Sequence, residues 1–364
     1  MPPPIPQLDT RLRRAFAAVE GAGLDALLVT SGSNIAYLTG LRMSAGVLVV
    51  TRDQATLVVD GRYASEAAVA LAPVGGTSLA PVAPGLSYEE VLARLARDRE
   101  WQRVGLEAGH VTVGRLAAIR RGLGDAGAPV WVETDGVIEE LRAVKDDWEL
   151  AVLREAGARL SAVAACILPK VSAGQTERQV AWEIDVALHS AGFERPAFET
   201  IVAAGPHAAR PHHRPTARRL ETGELVLLDF GGVFDGYAVD MSRTVGLGQV
   251  DPRRQQWLVA VQEAQAAAIA ATAPGRLPSE IDAAARRTLA AAGLGEYFVH
   301  STGHGLGLDV HERPTIGARG DGAGPVRPGM VFTVEPGVYV ADSGGVRIED
   351  DVLVTATGVE RLTS

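Results

Sequence analysis

Apolar residues recur with two different periods along the first 140 positions, and the periods alternate. Leu8, Leu12, Phe16 and Val19 fall on one face of a helix over residues 8–22. The runs DALLVTSG, AGVLVVT and ATLVVD read as strands, with SNIAYLTG a polar segment between the first and second. The last two strands are joined through Arg52, Asp53 and Gln54, a hairpin tip. Helical spacing returns in GRYASEAAVALA, SYEEVLARLARD and VTVGRLAAIRRGLG, with RVGLEA as a strand between the last two. Strands alternating with helices predict an α/β unit over residues 1–140.

The pattern changes beyond that point. A long helical stretch breaks at Lys145-Asp146-Asp147, where Asp146 or Asp147 suits the N-cap of a helix starting at Trp148. TERQVAWEIDVALHSAG predicts a second helix that stops at Gly192, with His189 in its last turn, where the dipole favours a cation. From Phe198 onward the chain turns to strands, interrupted by two alanine-rich helical stretches between residues 252 and 292. The second domain is therefore expected over residues 141–364.

Composition narrows the partners. With 364 residues the chain is too long for one ordinary domain, and 47% hydrophobic with 22% charged residues is a globular balance. A net charge of −9 argues against nucleic acid or an anionic membrane as partner. No uninterrupted apolar run approaches the roughly 18–20 residues of a membrane span. The start MPPPIPQLD lacks a basic and an apolar region of the secretory kind, so a cytoplasmic location is expected. The one cysteine, Cys166 in SAVAACIL, is expected to be a buried thiol and excludes a disulfide within the chain.

The chemistry lies in the second half. Asp229 in LVLLDFGG, Asp240 in GYAVDMSRT, His304 in HSTGHGLGLDVHE, Glu335 in VFTVEPGVY and Glu349 in GVRIEDDVLV each interrupt an apolar or glycine-rich run. A charge inside a buried strand is costly unless it is paired or bound to a metal. Four carboxylates carry four negative charges, which two divalent cations would match. The connection containing Asp235-Gly236 would bring Asp229 and Asp240 near one another across an antiparallel pair. His300, His304 and His311 are spaced among glycines that let a backbone pass close to a site. His207, His212 and His213 lie upstream, candidates for proton transfer or for plain loop positions. Arg347 and Glu349, two residues apart, would share a strand face, and Tyr339 reads equally as a core aromatic or a phenol facing the site.

With these motifs in this order, the chain resembles the pita-bread dinuclear metallopeptidases, in particular the Xaa-Pro peptidases, prolidase and aminopeptidase P. The resemblance spans the whole length and implies an α+β protein, a creatinase-type α/β domain followed by a pita-bread domain. It implies that Asp229 chelates one metal, that Asp240 and Glu349 bridge two, and that His304 and Glu335 complete the second. His212 and His311 would be the substrate-side histidines and His300 a pocket histidine, with Tyr339 and Arg347 the supporting phenol and guanidinium. The cofactor implied is a pair of divalent cations, manganese first, cobalt or zinc as alternatives, and the assembly implied is a homodimer.

The implied activity is hydrolysis of the Xaa-Pro imide bond with release of the N-terminal residue. Two metals can activate a shared water and polarise the scissile carbonyl. Glu335 would take up the proton, His311 would steady the oxyanion, and a Tyr339–Arg347 relay would serve the leaving nitrogen. The substrate expected is a proline dipeptide, with Arg42 at the end of SNIAYLTGLR binding its free carboxylate; a longer proline-containing peptide is the alternative. A non-catalytic pita-bread binding protein is the remote alternative, and methionine aminopeptidase shares the ligand pattern without the first domain.

Overall fold

The computed structural model describes all residues except 1, 124–127, 321 and 323. The chain forms two compact units, Met1–Arg142 and Ala143–Ser364. In the first, Ala26–Val29 lies between an antiparallel neighbour, Val47–Val50, and a parallel one, Arg103–Glu107. Val47–Val50 continues through the expected hairpin into Ala55–Val59. Two further strands, Thr77–Pro81 and Val130–Thr134, close the two edges of this six-stranded sheet.

Those edge strands have no counterpart in the hydrophobic pattern, because they are largely half-buried or exposed. The segment SNIAYLTG also departs from expectation: Gly32–Thr39 is a helix, capped by the Ser31 hydroxyl. Its interior polar residue, Asn34, is fully buried and donates to Glu107 at 2.7 Å and Glu139 at 2.6 Å, while accepting from Arg142 at 2.8 Å. A helix buried through polar partners leaves no apolar period to read.

In the second unit Asp146 caps the helix Asp147–Ile167 through a reciprocal bond with Glu149. Cys166, near that helix's end, is exposed, which corrects the buried thiol; the helix turns this position outward while Val163, Ala164 and Ile167 face the core. Leu225–Phe234 and Tyr237–Gly246 form a long hairpin, turned by Asp235 and Gly236 at φ 46° and 87°. Strand periodicity divides its faces. Val226, Leu228, Phe230, Val239 and Met241 join the core beneath the helices Asp147–Ile167 and Glu177–Ser190. Asp229, Asp240 and Ser242 project from the opposite face.

A five-stranded sheet runs in the order Glu312–Ile316, Gly303–Gly305, Val331–Val334, Asp350–Val354 and Val359–Arg361. Its Phe332, Val334, Val352 and Val354 pack beneath the helices Pro252–Ala271 and Pro278–Ala291. Thr333 and Glu335 alternate to the other side. Gly337–Val340 and Gly344–Arg347 make a separate two-stranded ribbon. Both sheets thus present ionisable residues on the faces their helices leave uncovered.

Candidate metal centre

Asp229 stands opposite Ser242 in the hairpin register and Asp240 opposite Gly231, so the two aspartates lie diagonally on one face. They are 8% and 6% exposed. Glu349 follows the ribbon strand Gly344–Arg347 and precedes Asp350–Val354, at the junction between two sheets. Its position is set from the hairpin: Glu349 N–H donates to Ser242 O at 3.0 Å, and Ser242 Oγ donates to Glu349 Oε2 at 2.6 Å. Glu335 is anchored by its own N–H, which donates to Thr302 O at 2.7 Å.

His304 enters from the glycine-flanked strand Gly303–Gly305. At Gly303 a Cβ would meet Thr333 O at 1.8 Å, so only glycine lets this strand lie so close to its neighbour. His304 Nδ1 sits 3.1 Å from Gly305 O. A carbonyl only accepts, so Nδ1 carries the proton and Nε2 presents a lone pair. Nε2 lies 3.4 Å from Glu335 Oε1.

Several observations fit a divalent cation. Asp229 Oδ1 and Glu349 Oε1 are buried without a hydrogen-bond partner. Donor atoms of Asp240, His304 and Glu349 lie within 4.8 Å of one another. Burial, and then repulsion from Glu349 and Asp229, hold the Asp240 carboxyl well above the usual carboxylate range. Burial followed by repulsion from Glu335 and Asp229 does the same to Glu349, and burial raises Glu335. Burial also lowers His304, leaving its imidazole neutral. An oxygen-rich set with one imidazole is ligation suited to manganese, cobalt or zinc.

Around these residues runs a chain of hydrogen bonds. Arg347, 3% exposed, pairs through Nη2 with Asp229 Oδ2, donates from Nη1 to the Tyr339 hydroxyl at 2.7 Å and from Nε to Ser242 Oγ at 3.0 Å. Arg347 and Glu349 are therefore linked through the Ser242 hydroxyl, and not as neighbours on one strand face as the spacing had suggested. Tyr339 OH lies 2.8 Å from His300 Nε2. His300 Nδ1 is 2.7 Å from Ser301 O and must be the protonated nitrogen, so in the neutral ring Nε2 accepts the Tyr339 proton. Burial keeps that ring neutral and pushes the phenol up to about 12.

His311 is exposed, with its ring 4.1 Å from that of His304. Burial of part of the ring, and then the neighbouring imidazoles of His304 and His212, bring it down to about 4. His212 is exposed beside the buried His213 and is close enough to His311 to influence its charge. His207 and His213 turn away, to Glu177 at 2.8 and 3.0 Å. Arg42 is an exposed residue of the first unit. Ser242, Thr333 and Glu177 were not singled out by the sequence. Ser242 shares its strand face with Asp240, and Thr333 with Glu335, each at a spacing of two, a signal that was available; Glu177 carried none.

Comparison with known proteins finds two matching family models. The model of metallopeptidase family M24 matches residues 151–356, and that of the creatinase/prolidase N-terminal domain matches residues 11–144. An uncharacterized peptidase of Bacillus subtilis, YqhT, is 36% identical over 97% of this chain and 96% of its own. An Xaa-Pro dipeptidase structure from Bacillus anthracis superposes with a TM-score of 0.91 at 32% identity, covering 98% of each chain. The X-Pro aminopeptidase of Thermotoga maritima superposes with a TM-score of 0.83 at 29% identity, covering 96% of this chain and 97% of its own.

Proposed function

The chain belongs to metallopeptidase family M24, and on that premise we propose that it hydrolyses the imide bond before proline, releasing the N-terminal residue of a Xaa-Pro dipeptide. Such a bond is a tertiary amide with no N–H and a rigid ring on its leaving side. The observation that carries the reading is the pair of buried oxygens without partners, Asp229 Oδ1 and Glu349 Oε1, amid four carboxylates and an imidazole lone pair. Asp229, Asp240, His304, Glu335 and Glu349 would hold two divalent cations, which supply an activated water and polarisation of the scissile carbonyl.

The remaining residues take their parts from their surroundings. Glu335, raised by burial, is placed to take up a proton as the carbonyl is attacked. His311, neutral at pH 7, offers an N–H to the developing oxyanion, and His212 takes the carbonyl or the leaving-group side. Tyr339 and Arg347 form the relay toward the proline nitrogen, and His300, which accepts the phenol proton, joins it. Arg42 selects dipeptides by pairing with a C-terminal carboxylate.

The relatives named above include both a dipeptidase and an aminopeptidase, so the assay must separate them. Protein stripped with a chelator and reloaded with manganese, cobalt or zinc is given Leu-Pro, Leu-Pro-Gly and a Met-initiated peptide. Cleavage of Leu-Pro above the tripeptide, lost in Asp240→Ala and weakened toward Leu-Pro-Gly's level in Arg42→Ala, supports the proposal. Equal or greater cleavage of the tripeptide reassigns the chain to the longer-peptide class, and cleavage of only the Met-initiated peptide, or of none, refutes the proline reading.

A further inference from the structure

A second cluster of carboxylate and imidazole lies outside the metal centre and is built in the opposite way. Glu177 opens the helix Glu177–Ser190, and its side chain is fully buried. Its Oε1 accepts from Ala204 N–H at 3.0 Å and His207 Nδ1 at 2.8 Å. Its Oε2 accepts from His213 Nε2 at 3.0 Å, Thr216 N–H at 3.0 Å and the Thr216 hydroxyl at 2.7 Å. A carboxylate can only accept, so both imidazoles present N–H groups to it, and their rings lie 4.3 Å apart. Five donors leave neither oxygen short of a partner. Glu177, His207 and His213 have the composition and spacing of a cation site, yet lack the orphaned oxygens that mark the centre around Glu349.

These bonds clasp both ends of one strap. Between His207 and His213 the chain runs through Ala208 and Pro211, where it meets the ribbon strand Gly344–Arg347. A Cβ at Gly345 would come within 2.0 Å of Ala208 O, so glycine there allows the two backbones to touch. Pro211 O accepts from both Nη1 and Nη2 of Arg347, each at 3.3 Å. The strap is thereby held by Glu177 on one side and Arg347 on the other. Successive residues point opposite ways: His213 goes inward to the clasp, and His212 is left exposed near His311.

We propose that Glu177 is a positioning residue for peptide-bond cleavage, acting through the His207–His213 strap to hold His212 over the metal centre. The inference rests on the functional reading above. Glu177 touches no substrate in this account. Its removal releases His212 and the Pro211 carbonyl together, and misplacement of a reacting group by about an ångström costs on the order of 100-fold in rate.

The test is a double-mutant cycle of Glu177→Gln and His212→Ala on the manganese-loaded full chain. Glu177→Gln is expected to lower kcat for Leu-Pro by about 10- to 100-fold with KM changed by less than about threefold, and to add less than about threefold on a His212→Ala background. Full multiplicative loss on that background overturns the proposal. Bound manganese, measured by inductively coupled plasma mass spectrometry, should be equal in wild type and Glu177→Gln; loss of an ion makes the cluster a metal site and also overturns it. Should Glu177→Gln fail to fold, His213→Gln, which keeps an N–H at the same place, must retain kcat where His213→Leu loses it. If wild type cleaves no proline peptide, the functional reading fails separately. The clasp is then read by histidine-ring NMR, where the slowly exchanging N–H signals assigned to His207 and His213 must vanish in Glu177→Gln; their persistence overturns it.

Discussion

Replacing Lys145 with methionine isolates what a buried ion pair contributes behind the histidine-bearing loop. Its ammonium lies 2.6 Å from Glu312 Oε1, with the two side chains 1% and 5% exposed. Removing the cation leaves a buried carboxylate without its counter-charge, and breaking such a pair from one side costs about 3–5 kcal/mol. In a unit of this size each kcal/mol moves Tm by about 2–4 °C, so the loss is expected to be about 6–20 °C. The site should feel it too, because Glu312 directly follows His311. Glu312 also sits against Gly307, where a Cβ would come within 2.7 Å of its carboxylate, and accepts from Asp309 N–H at 3.4 Å.

Scanning calorimetry at one fixed manganese concentration gives the stability, since any change in bound ion would move Tm by itself. The double variant Lys145→Met/Glu312→Met should recover at least half the loss, because an apolar pair of similar volume replaces a buried ion pair at little cost. A single variant within about 1 kcal/mol of wild type would refute the reasoning, as would a double variant as unstable as the sum of the singles.

Three further outcomes follow from the same structure. Asp240→Asn should lose bound manganese and activity, yet the metal-free variant should melt above metal-free wild type at pH 7. A carboxyl whose folded pKa is raised favours the fold below its ordinary value and loses that contribution as pH climbs through the raised one, so removing the charge helps; calorimetry with and without manganese reads both signs. For Glu177 the direction reverses. Burial alone would raise it, but donors from Thr216, His213, Ala204 and His207 bring it from 4.5 to about 2, so its contribution is complete above 4.5 and is lost as pH falls toward 2. Melting curves across pH 2–6 should therefore fall more steeply for wild type than for Glu177→Gln. Tyr339→Phe should lower kcat for Leu-Pro by about 10- to 100-fold while leaving the pH–rate profile below pH 10 unchanged in shape, because burial pushes the phenol up to about 12; a lost alkaline limb would contradict it.

How much of this was legible beforehand depended on whether a residue's partner was local. The hairpin carrying Asp229 and Asp240 was readable because its apolar alternation and Asp235-Gly236 turn lie within one stretch of chain. The edge strands Thr77–Pro81 and Val130–Thr134 were not, since edges bury too little to need an apolar run. The helix Gly32–Thr39 escaped because its buried Asn34 is satisfied by Glu107, Glu139 and Arg142, all more than 70 positions away. Cys166 was misplaced for a related reason: an apolar neighbourhood in sequence does not say which side of a helix a residue occupies. Glu177, as the first residue of a helix, reads as a dipole-stabilising surface acid until His207 and His213 are folded onto it.

Burial alone therefore does not separate a scaffold carboxylate from a ligand carboxylate. Glu107 and Glu177 are as deeply enclosed as Asp240 and Glu349, yet Glu107 accepts from Thr30 N–H at 2.5 Å, Ser31 N–H at 2.8 Å and Asn34 at 2.7 Å, and Glu177 accepts from five donors. Around Glu349 the acids face one another, three oxygens (Asp229 Oδ1, Glu349 Oε1 and Asp351 Oδ1) are left without donors, and Arg347 is the only guanidinium among the described residues that reaches Asp229 directly. One arrangement favours the folded chain with nothing added; the other is a standing electrostatic cost that divalent cations would offset. The sign of the carboxyl shift records the difference, downward for Glu177 and upward for Asp240 and Glu349. A fold that keeps such a cost at the meeting of two sheets, beside a clasp that shows how easily it could have been relieved, holds those oxygens for something other than stability.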